Sequence, residues 1–464
     1  MAEHHQSELR RPWSRSDRLV PRTLLRPLQD FLETSTSGGF VMLAAVVVAL
    51  AWANSPWGDT YERFWHTEFS FVLARWELDL DLRHWVNDGL MTVFFLLVGL
   101  EIKRELATGE LRQLRSAALP IVAAVGGMVV PAALFVAVNA GGAGEQGWGI
   151  PMATDIAFAL GVLTLAAKHA PPSLKPMLLT LAIVDDIGAI LVIAIFYSGG
   201  LSFAWLEAGA AVLVAVVVLR QIGVRAMGVY WVLGAVLWLE LYNAGIHPTI
   251  AGVILGLLAP AEPFQRPAAV SAEARKTAEE TSDDVAVADQ DAPAWLRLAV
   301  LSREAVSPLA RTEHALLPWS SFVIVPIFAL ANAGVVLSGE ALAGAATGAV
   351  GVGVFLGLVV GKPLGIWLAS VIAVRTGIAV LPSGVRMIHV ALMGVTAGIG
   401  FTVSLFIAEL AFPGSELLAQ AKIAILVASL VAGVAGLLLF RMAAVTRDDT
   451  ALGDEPVPAS VGRG

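Results

Sequence analysis

Cysteine is absent from the chain, and charged residues are scarce. Among the 464 residues there is no cysteine, and Asp, Glu, Lys and Arg together account for 15%. The lack of cysteine excludes disulfide bonds, thiolate metal sites and cysteine nucleophiles. A soluble globular domain would contain about 25% charged residues, so the composition argues against a soluble protein. The net charge of −8 gives no sign of a nucleic-acid partner.

Hydrophobic residues, by contrast, make up 57% of the chain and occur in long runs. Runs of about 18–25 apolar residues are long enough to cross the hydrocarbon core of a bilayer as helices. We therefore predict an all-α integral membrane protein with about twelve transmembrane helices. The predicted spans cover residues 38–54, 84–103, 117–138, 149–167, 174–198, 203–220, 227–242, 247–260, 317–335, 349–373, 387–410 and 417–440.

The segment of residues 61–83 differs from the predicted spans. The run from Phe69 to Leu82 alternates between apolar and polar residues with a period of two over its second half. Such alternation is typical of β-strands. We predict a small β-hairpin here, outside the membrane on the extracellular side.

Loop charges predict the orientation of the spans. Most of the 30 lysines and arginines lie in the termini and in the loops that join an even-numbered span to the next odd-numbered one. Arg63, Arg75 and Arg83, in the first loop, are the exceptions on the opposite side. By the positive-inside rule, both termini are cytoplasmic.

Three polar segments lie outside the predicted spans. They are an N-terminal extension at 1–33, a long loop at 262–312 and a C-terminal tail at 443–464. All three are predicted to be cytoplasmic, and the extension and most of the loop are predicted to be disordered because they lack hydrophobic periodicity. The transmembrane domain then covers residues 34–442.

Two adjacent aspartates, Asp185 and Asp186, lie in the middle of an apolar run. A carboxylate at the bilayer centre costs roughly 2.5–3.5 kcal/mol on insertion scales, so ionisable residues there indicate a functional site. On a helix the two side chains point about 100° apart and cannot face one site equally. We expect one of them to join Asp155 around an ion, and the other to pair with Lys362, whose buried ammonium needs a carboxylate partner.

Two predicted spans contain signals for an interrupted helix. In the fourth span, Pro151 is followed closely by Thr154 and Asp155, and Gly398 and Gly400 lie in the eleventh. Glycines alone would favour close helix packing. With Asp155 beside the first break, the pair of interruptions instead predicts a binding site near the membrane midplane, where half-helix ends face an ion.

Carboxylates in such a site suit a small cation. Sodium is a hard cation that prefers oxygen ligands. A carboxylate can hold either a proton or a sodium ion, and this competition, combined with alternating access, is sufficient for antiport. Four alternatives remain open from the residues: a purely structural polar network, a sodium-coupled symporter on the same fold, a sodium channel and an intramembrane aspartyl protease.

Other polar residues lie near span ends. Asp88 and Glu101 are at opposite ends of the second span, His247 opens the eighth, and Glu313 and His314 precede the ninth. Acids and histidines at such positions are often solvated interfacial residues. The functional interpretations are attraction of ions to a funnel mouth and pH sensing by histidine.

Five motifs, in this order and spacing, resemble those of the NhaA-type bacterial sodium/proton antiporters. They are WVNDGLMTVFFLLVGLEIKRE at 85–105, PMATDIAFALG at 151–161, AIVDDIGA at 182–189, GKPLGI at 361–366 and GIGFT at 398–402. The resemblance implies two inverted three-helix repeats, spans 3–5 and 10–12, with discontinuous helices 4 and 11. It further implies a homodimer that forms through the hairpin near residues 61–83.

The resemblance also implies the activity. The protein would be a secondary transporter of the bacterial inner membrane, surrounded by membrane lipid, and not an enzyme. It would exchange cytoplasmic Na+ or Li+ for external H+ in an electrogenic, pH-regulated reaction that serves sodium and pH homeostasis. It would need no cofactor, because the ions are its substrates.

Roles for individual residues follow from the same resemblance. Asp155 and Asp186, with Thr154 nearby, would bind the sodium ion or the protons, and Asp185 and Lys362 would form a buried ion pair. Asp88 would be an acid on the extracellular side. The cytoplasmic funnel and pH response would involve Glu101, His247, Glu313 and His314. Leu317 stands where many relatives have a second histidine, so the pH set-point does not follow from the motif.

Overall fold

The computed structural model of the protein describes Thr23 and residues 37–73, 76–166, 171–281 and 288–451. Within these ranges the chain is almost entirely helical, with one pair of strands. The first helices are α1 (Ser37–Ala53), α2 (Gly58–Trp65), α3 (Leu82–Ala107), α4 (Leu114–Asn139), α5 (Ile156–Leu165), α6 (Leu174–Phe196), α7 (Phe203–Gln221), α8 (Met227–Ala244) and α9 (Thr249–Leu258). The later helices are α10 (Pro267–Glu280), α11 (Ala288–Glu304), α12 (Pro308–Asn332), α13 (Gly339–Thr347), α14 (Ala349–Arg375), α15 (Met387–Ala397), α16 (Phe401–Ala411) and α17 (Glu416–Ala451).

The prediction of a helical membrane protein is confirmed. In the described ranges, eight helical runs are long and apolar enough to cross a membrane, and two bent pairs raise this number to as many as ten. The bent pairs are α1 with α2, at 115°, and α15 with α16, at 50°. The two other predicted spans are present as α8, which carries Glu240, and α9, which has only 10 residues. The total of twelve spans remains a prediction.

Two strands form within the segment at 61–83, for which we predicted a hairpin. Strand β1 (Glu68–Leu73) pairs antiparallel with β2 (Trp76–Asp81), with Glu68 opposite Asp81. Leu78 and Leu80 of β2 are buried in a cluster with residues of α8. The sheet is therefore packed against the helices on one face. Its extracellular location remains a prediction.

Helices α3 and α9 pack side by side through glycine. A Cβ atom at Gly252 would overlap the carbonyl oxygen of Thr92, and one at Gly99 would lie 2.6 Å from the carbonyl oxygen of Val253. The contacts advance in the same direction along both helices, so α3 and α9 run parallel. The beginning of α9 is consequently at the same end of the molecule as Asp88.

Helices α4 and α14 also approach closely at glycines. A Cβ at Gly365 would overlap the carbonyl oxygen of Gly126. Immediately before this contact, residues Gly357–Gly361 widen into a π-helical turn, a distortion that occurs often at functional sites. The next residue, Lys362, is fully buried.

The described part of the loop at 262–312 contains more helix than the sequence predicts. We predicted that it is largely disordered, whereas its described part contains α10 and α11, which pack against each other. Glu273 Oε1 of α10 lies 3.7 Å from Arg297 Nη2 of α11. The alanines, glutamates and arginines that suggested disorder are also strong helix formers, which explains the difference.

The predicted terminal segments are only partly covered. The extension at 1–33 lies outside the described residues except for Thr23. Helix α17 continues into the predicted C-terminal tail as far as Ala451, and residues 452–464 lie outside the described part.

Candidate functional site

Two interrupted helices contact each other, and the interruptions lie where the sequence predicted them. A 3₁₀ helix at Glu145–Met152 is separated from α5 by three extended residues, and α15 is separated from α16 by Gly398–Gly400. The two breaks contact each other directly, since the Asp155 amide donates to the Ile399 carbonyl at 2.7 Å. Backbone groups freed by one break are thus satisfied by the other, as a membrane interior requires.

Asp155 lies between two helix N-termini. Its Oδ1 accepts from the Phe158 amide at 3.1 Å, which caps α5. Its Oδ2 accepts from Thr402 of α16 twice, from the amide at 3.2 Å and from the hydroxyl at 2.6 Å. Helix N-termini favour negative charge, so this position stabilises a buried carboxylate.

Asp185, Thr154 and Lys362 form a buried cluster next to this carboxylate. Lys362 Nζ lies 2.9 Å from Asp185 Oδ2 and also donates to the Met152 carbonyl. The Thr154 hydroxyl is 2.7 Å from the same Asp185 oxygen and 3.1 Å from the Ala397 carbonyl. The cluster connects the segment before α5 to α6, α14 and α15.

Asp186 has a different environment from its neighbour. It is only 5% exposed, and no other described residue forms a hydrogen bond or ion pair with its carboxyl group. Its electrostatic neighbours are the acids Glu101, Asp185 and Asp155 together with the cation Lys362. Asp186 is therefore an acid in a largely acidic environment, which attracts a cation or a proton.

One group of polar residues lies toward the C-terminal end of α3. Arg104 forms an ion pair with the buried Glu313 of α12, and Glu101 has both as electrostatic neighbours. His314 and Leu317 are exposed on α12. Glu101 is also an electrostatic neighbour of Asp186. Glu101 and Glu313 therefore lie close together, and His314 directly follows Glu313 in α12.

His247 lies apart from that group, whereas the family resemblance placed it with Glu101, Glu313 and His314. Its Nε2 lies 3.4 Å from Asp88 Oδ1, and both side chains are nearly buried. The parallel packing of α3 and α9 brings these two residues to the opposite end from Glu101. The positive-inside pattern contained this information, because it already placed the loop before the eighth span on the side of Asp88.

Sequence reasoning missed two residues of the site region. Thr402 was noted only as part of a motif, although it supplies two hydrogen bonds to Asp155. Nothing in the sequence distinguishes Glu105, although it is buried, accepts from the Glu110 amide at 2.7 Å and lines a polar cavity of about 270 Å³ beside Thr180. Only its location in the folded protein distinguishes Glu105 from a solvated acid at a helix end. The local sequence does not reveal that location.

Comparison with known proteins gives a consistent result across nearly the whole chain. The family model described as "Na+/H+ antiporter 1" matches residues 29–440. The Na(+)/H(+) antiporter NhaA 2 of Sorangium cellulosum (strain So ce56) is 45% identical over 428 residues, which cover 92% of each chain. The Na(+)/H(+) antiporter NhaA of Anaeromyxobacter sp. (strain Fw109-5) is 48% identical over 424 residues, or 90% of this chain and 92% of the relative.

A third relative agrees with these two. The Na(+)/H(+) antiporter NhaA of Oleidesulfovibrio alaskensis (strain ATCC BAA-1058 / DSM 17464 / G20) is 45% identical over 425 residues, or 90% of this chain and 94% of the relative. The matched region of the family model includes both interrupted helices and every residue of the central cluster.

Proposed function

Since the chain belongs to the Na+/H+ antiporter 1 family, we propose that Asp155 and Asp186 are the groups on which its sodium ions and protons compete. The chain is a multi-pass bacterial membrane protein, and sodium/proton exchange is its activity. Our proposal concerns which residues bind the ions and how the binding site becomes accessible from each side of the membrane.

The main support for this proposal is that Asp155 and Asp186 have different hydrogen-bonding environments. Asp155 is held by donors from two helix ends, whereas Asp186 is buried without a hydrogen-bond donor in the described residues. Sodium prefers oxygen ligands, and an unpaired buried carboxylate gains most from an arriving positive charge. A proton satisfies the same oxygens, so the two ions exclude each other.

Thr154, Asp185 and Lys362 act beside this site in our proposal. Their hydrogen bonds join the chain next to Asp155 to α6 and α14. An ion that draws Thr154 or Asp155 toward itself therefore changes the contacts of the Lys362 ammonium. This coupling supports a role for the Asp185–Lys362 pair in changing access to the site.

The direction of exchange and the membrane geometry complete the proposal. Cytoplasmic Na+ or Li+ leaves as external H+ enters across the inner membrane, in an electrogenic and pH-regulated reaction. Glu101, Glu313 and His314 face the cytoplasm, Asp88 and His247 the outside, and both termini are cytoplasmic. Residues 34–442 form the transporter domain, and a homodimer in the lipid bilayer forms through the strands near 61–83.

Flux in sealed liposomes tests the ion site. Purified protein is reconstituted with an acidic interior and a pH dye, and Na+, Li+ or K+ is added outside. We expect Na+ and Li+, but not K+, to make the interior alkaline, and we expect Asp155→Asn and Asp186→Asn to abolish this change. Exchange at the normal rate by a well-inserted Asp186→Asn protein refutes the assignment of that residue.

A second buried carboxylate provides a matched control. Glu240 of α8 is 3% exposed and belongs to neither group described above. Glu240→Gln removes one negative charge from a membrane helix, as Asp186→Asn does, and we expect it to retain exchange. Equal loss in both variants would mean that transport requires buried charge in general and not this site.

A further inference from the structure

Helix α16 begins without a side-chain cap of its own. The residue before it is Gly400, which has no side chain to accept hydrogen bonds from the first amides. These amides have no partner within the helix, and in a buried position they need acceptors from elsewhere. The N-terminus of α16 therefore depends on groups from other elements.

Two different elements supply these acceptors. The Thr402 amide donates to Asp155 Oδ2 at 3.2 Å, and the adjacent Phe401 amide donates to the Ser429 hydroxyl of α17, also at 3.2 Å. Ser429 is 8% exposed. Because consecutive amides of one helical turn move together, the acceptor of Phe401 also determines where the Thr402 donors point.

A second contact joins the same two helices at their other end. Lys422 Nζ of α17 lies 2.5 Å from Glu409 Oε1 of α16, and both side chains are largely buried. On each helix, the ion pair and the Ser429 contact are separated by about two turns, at 3.6 residues per turn. Helix α16 is thus held by α17 at both its beginning and its end.

We propose that Ser429 is a positioning residue for cation binding. Its hydroxyl fixes the first turn of α16, so that the Thr402 amide and hydroxyl reach Asp155 while the neighbouring Phe401 amide does not compete for that carboxylate. This inference rests on the proposed function of Asp155. Without the Ser429 hydroxyl, the Phe401 amide lacks this acceptor and lies near Asp155. If it donates to Asp155 in addition to Thr402, it competes with a sodium ion for the same carboxylate oxygens.

The test compares substitutions at Ser429 with one at another buried hydroxyl. Ser429→Ala removes the acceptor, and Ser429→Thr retains it. Ser370→Ala removes a buried hydroxyl that, among the described residues, donates only to the Ile366 carbonyl of its own helix. Sodium-dependent exchange is measured in liposomes over a range of Na+ concentrations, and thermal unfolding is measured on the same preparations.

We expect Ser429→Ala to raise the KM for Na+ about five- to tenfold, the effect of one net hydrogen bond, with little change in kcat. Ser429→Thr and Ser370→Ala should keep the KM of the unsubstituted protein. The inference is overturned if Ser429→Ala leaves KM unchanged, whatever happens to its unfolding temperature. It is also overturned if Ser429→Thr or Ser370→Ala raises KM to the same extent.

Asp155→Asn, measured in parallel, distinguishes a failure of the Ser429 inference from a failure of the proposed role of Asp155. If Asp155→Asn abolishes exchange while Ser429→Ala leaves the KM for Na+ unchanged, only the role of Ser429 is refuted. If Asp155→Asn exchanges normally, the proposed function of Asp155 fails, and the inference about Ser429 fails with it.

Discussion

At the residue scale, the site depends on which of two adjacent carboxylates has a cationic partner. Asp185 lies 2.9 Å from Lys362, whereas Asp186 has no such contact in the described residues. The sequence predicts that the two acids divide their roles, because neighbours on a helix diverge by about 100°. Whether Asp185 or Asp186 contacts Lys362 depends on how α6 is rotated relative to α14. Only the family resemblance indicated that Asp185 is the partner.

The Asp185–Lys362 pair leads to a stability prediction. Lys362→Met leaves the buried Asp185 without its cation, which we expect to destabilise the protein by about 3–5 kcal/mol, because removing one partner leaves an uncompensated charge. The double substitution Asp185→Asn with Lys362→Met should recover most of this loss. Thermal unfolding in detergent measures both effects. A double variant less stable than Lys362→Met alone would contradict the assignment of the pair.

At the element scale, local sequence predicts where helices break but not what the breaks contact. Pro151 and the glycines at 398 and 400 were sufficient to locate both interruptions. The contact of Thr402 with Asp155 and the contact of Ser429 with Phe401 join residues far apart in the chain. No local pattern specifies such contacts, because they depend on how the helices cross.

Close helix approach leads to a second prediction at this scale. Gly252→Val would place side-chain atoms against the backbone of α3, and we expect a loss of about 1–3 kcal/mol from overpacking. Gly161→Ala in α5 is the control, since a Cβ there meets no atom within 4 Å. The melting temperature of the purified protein measures the difference. Equal melting temperatures for the two variants would show that α3 and α9 are not in close backbone contact.

At the scale of the whole molecule, the membrane fold could be predicted from composition and periodicity, whereas the structure of the long loop at 262–312 could not. A hydrophobic run of about 20 residues is long enough to cross the bilayer as a helix, so such runs predict the transmembrane spans. A polar, alanine-rich segment such as 262–312 fits both disorder and helix, because helix propensity alone does not determine whether a short helix has a packing partner. In the described part of this segment, α10 and α11 pack against each other, so each helix has a packing partner.

Deleting residues 268–300 tests whether this segment contributes to transport. The amides of Phe264 and Gln265 donate to the Glu304 carbonyl at 3.0 and 3.1 Å, so the chain on both sides of the deletion is already close together. We expect the shortened protein to insert and to exchange sodium for protons at a rate similar to that of the full chain. Loss of exchange by a correctly inserted deletion variant would assign the helical pair a role in the transport cycle.

The glycine contacts between α3 and α9 also constrain how the protein can move. Because backbone lies against backbone at Gly252 and Gly99, we expect the two helices to move together as one unit. His247, which lies beside Asp88 at the beginning of α9, should then stay about 20 Å from Glu101 along α3, at 1.5 Å per residue. We therefore expect opening toward either side of the membrane to come from movement of the interrupted helices relative to this pair.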